Sequence, residues 1–97
     1  MPKGYVIAQV DIHDPDSYAE YRKHTPASVA EFGGQFLVRG GAMESIEGDA
    51  PRPRIVVIEF PSLEQAKAWY NSPGYQKIVG IRQAASEGSV FVVEGAE

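Results

Sequence analysis

Three observations predict an α+β domain built on a four-stranded antiparallel sheet. Strand-length apolar or alternating segments occur at Tyr5–Ile12, from Gln35, at Arg54–Phe60 and at Val90–Glu94. Two helical stretches lie between them, each opened by a polar cap. The order is therefore β-α-β-β-α-β, which with right-handed crossovers folds most simply as a ferredoxin-like sheet with both helices on one face. The first and third strands are then central. At 97 residues the chain is one domain, 1–97, near the lower size limit for burying an adequate core unaided.

The first strand places Val6, Ala8, Val10 and Ile12 on one face, with Tyr5 and Ile7 on the other. Asp14 then serves as a helix N-cap, Pro15 suits the first helical position and Asp16 favours the positive end of the helix dipole. Helix one carries Tyr18, Tyr21, Thr25, Ser28 and Phe32 on a single stripe. Pro26 falls inside it and is expected to kink the helix or restart it with Thr25 as a new cap. Gly33 supplies the left-handed residue that ends it.

The second strand has two readings. It stops at Gly40 before a long loop to Pro53, or Gly40-Gly41 is a bulge and it continues through Met43 and Ile46 to turn over Glu47–Pro53. The second is preferred, because long structureless loops are uncommon. Strand three, Arg54–Phe60, is apolar on both faces and ends at Pro61. Ser62 and Gln65 form a capping box, and Ser72-Pro73 repeats the cap signal, so the second helical region breaks near Asn71. Gly88 closes it before the last strand, Val90–Glu94.

Composition excludes several functions. The formal charge is -4 with scattered Lys and Arg, which argues against nucleic acid. Cysteine is absent, which removes disulfides, thiolate zinc sites and cysteine nucleophiles. His13 and His24 share no metal-ligand spacing, so no metal is expected. There is no phosphate-cradling glycine loop, dinucleotide fingerprint or nucleophile elbow, so no cofactor is expected. The segment Ile55–Ile58 is too short to span a bilayer and the N-terminus has no signal-peptide pattern, so the expectation is a cytoplasmic protein without a membrane partner.

Two helices cover one face of the predicted sheet, yet strands one, three and four carry apolar residues on both. Each large side chain left wet forgoes about 1.5–3 kcal/mol. A second copy of the chain, paired through the open sheet face, is the expected cover.

Gly33-Gly34-x-Phe36-Leu37-Val38-Arg39-Gly40-Gly41, Glu59-Phe60-Pro61-Ser62, Trp69-x-x-Ser72-Pro73-x-Tyr75, Arg82 and Val93-Glu94-Gly95 together resemble domain-of-unknown-function family 1330, of the dimeric α/β-barrel superfamily. The resemblance runs from about Tyr5 to Gly95. It implies a ferredoxin-like protomer pairing as a dimeric α/β barrel, and it implies no established activity. More distant superfamily members include cofactor-free monooxygenases, haem-degrading enzymes and muconolactone isomerase. By that analogy the chain is expected to be a cofactor-independent enzyme of oxygenase or isomerase type, acting on a small organic acid or aromatic. The alternative is a non-catalytic small-molecule-binding or structural dimeric domain.

Arg39, Glu59 and His24 are the candidate catalytic residues. Under the extended reading of strand two, Arg39 and Glu59 share a face at a diagonal separation of about 7–8 Å; under the short reading they are roughly 13 Å apart. In the first case Arg39 grips a substrate carboxylate or enolate beside Glu59, or the two form a structural ion pair. His24 is one step off the helix-one stripe and serves as a base or as a surface residue. Tyr18, Tyr21, Trp69, Tyr75 and Arg82 are candidate substrate-binding residues, with core packing as the alternative for the aromatics. Arg82 requires a carboxylate partner or a ligand, and Glu94 is the candidate partner.

Overall fold

The computed structural model describes residues 2–96. The elements are β1 (Gly4–Ile12), α1 (Pro15–Glu31), β2 (Gln35–Arg39), β3 (Arg54–Phe60), α2 (Leu63–Tyr70), α3 (Pro73–Gln76), α4 (Val79–Ala85) and β4 (Ser86–Glu94). The sheet order is β2-β3-β1-β4, and every neighbouring pair is antiparallel. The ferredoxin-like prediction holds, with β1 and β3 central.

Cap chemistry sets the helix boundaries. The Asp14 carboxylate accepts from the Ser17 N–H at 3.2 Å, and Pro15 begins α1. At the other end Gly33 has φ 75°. Its N–H donates to the Ala30 carbonyl at 3.0 Å and that of Gly34 to Val29 at 3.0 Å, the paired bonds of a Schellman stop. Ser62 caps α2 by accepting from the Gln65 N–H at 3.1 Å. Ser72 caps α3 by accepting from the Tyr75 N–H at 3.3 Å.

Three expectations need correction. Helix α1 runs through Pro26 without a restart; Thr25 does not cap a new helix, and its hydroxyl donates back to the Tyr21 carbonyl at 2.8 Å. Strand β2 ends at Arg39, and the segment to Pro53 is a loop, so the preferred extended reading fails. Met43 and Ile46 are exposed in that loop. The bulge lies between Phe36 and Val38 rather than at Gly40-Gly41. Strand β4 begins at Ser86, and Gly88 lies inside it opposite Val10. A Cβ at Gly88 would run into the Gln9 backbone, so this glycine permits close strand approach and does not end a helix.

The core lies between the helices and one sheet face. Val6, Val10, Ile58 and Phe60 from the sheet meet Tyr18, Tyr21, Val29, Trp69 and Tyr75. The Trp69 ring sits 4.1 Å from that of Tyr75 and 5.5 Å from that of Phe60. Its indole N–H donates to the Ser28 hydroxyl at 3.1 Å, which satisfies the one polar atom such burial would otherwise strand.

Candidate functional site

A narrow cavity lies between the helices and the sheet, lined from all four strands, and two local devices shape its Arg39 side. The first is the bulge. Phe36 pairs with Ile58 and Arg39 with Val56, while Val38 pairs with Val57. Skipping Leu37 therefore sets Phe36 and Arg39 on the helix-covered face together, although they are three residues apart. Without the bulge, strict alternation would put them on opposite faces.

The second device is Pro26. Proline has no N–H, so the Arg22 carbonyl loses its helical donor. The Arg39 guanidinium donates to that carbonyl at 2.9 Å, and its Cζ lies 4.4 Å from the Phe36 ring centroid. A helix defect predicted from sequence is thus what anchors the arginine.

Arg54 alternates with Val56, Ile58 and Phe60 and so faces the same way. Its Cζ is 5.4 Å from the Tyr18 ring centroid, and its Nε–H is buried with no hydrogen-bond partner. Gly40, at φ 71°, lies against the Arg54 guanidinium where a Cβ would collide with it. Here the glycine serves both the left-handed backbone and the close approach.

Deeper in, the Tyr21 and Tyr75 hydroxyls are 2.8 Å apart. The Arg82 Nε–H donates to the Tyr75 hydroxyl at 3.3 Å, so the predicted Glu94 partner is replaced by a phenol. Burial, followed by the neighbouring Tyr75, pushes the Tyr21 phenol well above its ordinary value, which keeps its proton in place at neutral pH.

The cavity lining includes Arg22, Arg39, Arg54 and Arg82 and, among the described residues, no carboxylate. The ion pairs among the described residues are Lys23–Glu20, His24–Glu20 and Arg52–Asp11, so none of these four arginines is neutralised. Burial, then the like charges of Arg22 and Arg54, push Arg39 below the usual arginine range. In a chain of formal charge -4, four arginines converge on one cavity: Arg22 and Arg39 exposed, Arg54 half-buried and Arg82 buried. The enclosed space is about 30 Å³, enough for one or two water molecules.

The sequence-predicted residues separate into two groups. Tyr18, Tyr21, Trp69, Tyr75, Arg82 and Arg39 all line the cavity. Glu59 does not. It pairs with Tyr5 across the strands, on the face turned away from the helices, and accepts from the Tyr5 hydroxyl at 3.1 Å. Arg39 and Glu59 therefore stand on opposite faces of the sheet and form no pair. His24 is also outside, exposed on α1 at 3.4 Å from Glu20, and His13 is exposed in the turn. Arg54 and Arg22 were missed as site residues. The signal for Arg54 was its parity with Ile58 and Phe60, and for Arg22 its four-residue step from Tyr18.

The arrangement defines a ferredoxin-like α+β domain with a cationic, aromatic-lined cavity between helices and sheet. The chain belongs to the family described as domain of unknown function (DUF1330), whose model matches residues 3–96. No functionally curated protein matches the sequence. Among solved structures it is similar to a protein of unknown function from Rhodopseudomonas palustris, with TM-score 0.78 and 16% identity over 99% of this chain and 84% of that one. It is also similar to SnoaB, a cofactor-independent oxygenase from Streptomyces nogalater, with TM-score 0.63 and 11% identity over 100% of this chain and 96% of that one. A conserved protein from Methanosarcina mazei Go1 gives TM-score 0.56 and 13% identity over 99% and 95%. At these identities the likeness shows the fold.

Proposed function

We propose that this domain binds a small organic acid in the helix–sheet cavity, with its carboxylate held by Arg39 and Arg54. Its apolar or aromatic body lies against Phe36, Tyr18 and Trp69. The observation that carries this reading is the set of four lining arginines with no carboxylate among them. Like charges brought together beside an apolar wall repel one another, and a ligand carboxylate offsets that cost through charge-assisted, bidentate hydrogen bonds. The buried, unpartnered Arg54 Nε–H is a donor waiting for such an acceptor. Typical ligand sites are about 300–1,000 Å³, so entry requires the exposed Arg39 side chain to swing off the Arg22 carbonyl.

The catalytic form of this reading is a cofactor-independent oxygenase or isomerase, as the fold shared with SnoaB allows. Among the described residues no histidine or carboxylate lines the cavity, so none of them offers a base of that kind there. The substrate would have to enter already ionised, which favours binding over turnover. The working unit we propose is a cytoplasmic homodimer paired through the open sheet face.

A thermal-shift screen of small aromatic and dicarboxylic acids tests the reading, because a ligand selective for the folded state raises its stability. Benzoate-like acids should raise the melting temperature of the wild type and have no effect on Arg39→Ala and Arg54→Ala. A response to uncharged amides equal to that of the acids would sink the proposal. Any acid that binds is then assayed for consumption and oxygen uptake, and absence of both leaves a binding protein.

A further inference from the structure

The inner end of the cavity holds an imbalance of protons. The Arg82 Nε–H donates to the Tyr75 hydroxyl at 3.3 Å, and the Tyr75 and Tyr21 hydroxyls share one contact of 2.8 Å. Each phenol carries one proton, and an arginine only donates. If Tyr75 donates to Tyr21, the Tyr21 O–H has no acceptor. If Tyr21 donates to Tyr75, the Tyr75 oxygen accepts twice and its own proton has none. Either way one phenolic proton is left over among the described residues, and both hydroxyl-bearing side chains line the cavity. Tyr21 is 7% exposed, Tyr75 1% and Arg82 8%, so bulk water is not the ready acceptor.

This donor chain is separate from the arginine cluster at the mouth. Arg22 and Arg39 are exposed, whereas Tyr21, Tyr75 and Arg82 are buried. Between mouth and interior run the rings of Tyr18 and Tyr21, with centroids 5.4 Å apart, then Tyr21 and Tyr75 at 6.2 Å. The cavity thus has two polar stations joined by aromatic surface.

We propose that Tyr21, Tyr75 and Arg82 form a second subsite that receives an oxygen of the ligand, either anionic or enolic. The ligand class is then narrower than a simple acid. It is a carboxylic acid bearing a second, acidic oxygen across a short planar body, as in a hydroxybenzoate or the enol form of a keto acid. Arg82 polarises the chain by donating into Tyr75, so the leftover phenolic proton becomes a stronger donor. This inference rests on the carboxylate reading above, and the test separates the two.

The probes are benzoate and the 2-, 3- and 4-hydroxybenzoates, titrated calorimetrically into wild type, Tyr21→Phe, Tyr75→Phe and Arg39→Ala. At least one hydroxybenzoate should bind wild type about tenfold more tightly than benzoate, the gain of one charge-assisted hydrogen bond. Tyr21→Phe or Tyr75→Phe, whichever removes the free proton, should bring that ratio to about one. Two phenol variants keep the test decisive if one fails to fold. If no hydroxybenzoate exceeds benzoate, or the gain survives both phenylalanine variants, the second subsite is overturned. The carboxylate reading then still stands on benzoate binding that Arg39→Ala abolishes. If none of the acids binds wild type, both readings are overturned.

Discussion

The two faces of the sheet are made by the same four strands and differ in what meets them. On the helix side, Val6, Ile58 and Phe60 are covered, and the space beyond them is bounded by phenols and arginines. On the other side, Val38 pairs with Val57, Val57 with Ile7, and Ile7 with Phe91. That is one apolar row crossing all four strands. Val38 is 39% exposed and Phe91 46%, since nothing among the described residues covers them. One face is polar where a ligand can use it, and the other is apolar where a protein surface can. If the proposed acid binds at the first face and a second copy packs on the second, substitutions on the two should fail in different ways.

The largest effect is expected at the covered face. Trp69 is 1% exposed and touches Phe60, Tyr70 and Tyr75. Trp69→Ala should cost about 3–5 kcal/mol of stability, measured by denaturant unfolding. A loss under about 1 kcal/mol would mean that the helices are not seated as described. At the open face, Phe91→Glu places a charge in the apolar row. If two copies pair there, light scattering should show the wild type as a dimer at micromolar concentration and the variant as a monomer with an unchanged circular dichroism spectrum. A monomeric wild type would remove the pairing and leave the exposed row unexplained.

How much of this contrast could be read from sequence follows from periodicity. The strand order and the two-faced character of β3 were legible, because alternation within Arg54–Phe60 states which residues share a face. The caps at Asp14, Ser62 and Ser72 and the stop at Gly33 were legible from local backbone chemistry alone. The face of Arg39 was not. It depends on one skipped residue, Leu37, and a bulge changes parity without changing composition. Glycines at 40 and 41 drew the expected bulge to the wrong place, since Gly40 is required by its positive φ and by the Arg54 guanidinium. Glu59 meets Arg39 only if β2 extends through Gly40-Gly41, which it does not, and His24, one step off the helix stripe, stays exposed. Arg54 shares the parity of Ile58 and Phe60, so its face was legible from alternation alone.

Alkaline titration offers a finer test of the covered face. Burial raises the folded-state value of Tyr21 above its ordinary 10.0. A raised value contributes stability that is fully present below the unfolded value and is lost as pH rises beyond it. Stability of the wild type should hold to about pH 10 and then fall. Tyr21→Phe removes this contribution, so its stability should fall less steeply over the same range, though it is lower at neutral pH by about 1 kcal/mol for the lost hydrogen bond. Identical slopes above pH 10 in the two proteins would place the Tyr21 hydroxyl in water, and with it the inner station of the cavity.

The smallest expected effect concerns Pro26. A proline inside a helix costs about 3 kcal/mol relative to alanine, but it also restricts the unfolded chain, which returns up to about 1 kcal/mol. Here part of the remaining penalty is offset by Arg39, which donates to the Arg22 carbonyl at 2.9 Å. Pro26→Ala restores the helical N–H to that carbonyl and competes with the guanidinium. The variant should be more stable by about 1 kcal/mol. At the same time Arg39 loses part of its hold on α1, so swinging it off the carbonyl costs less, and affinity for a bound acid should rise a few-fold. Pro26→Ala combined with Arg39→Ala separates the two roles. If Arg39 is chiefly the carbonyl's partner, Arg39→Ala destabilises the wild type more than it destabilises the Pro26→Ala background. Equal costs in both backgrounds would show that the arginine's hold on α1 contributes nothing, and that its place at the mouth is owed to the bulge alone.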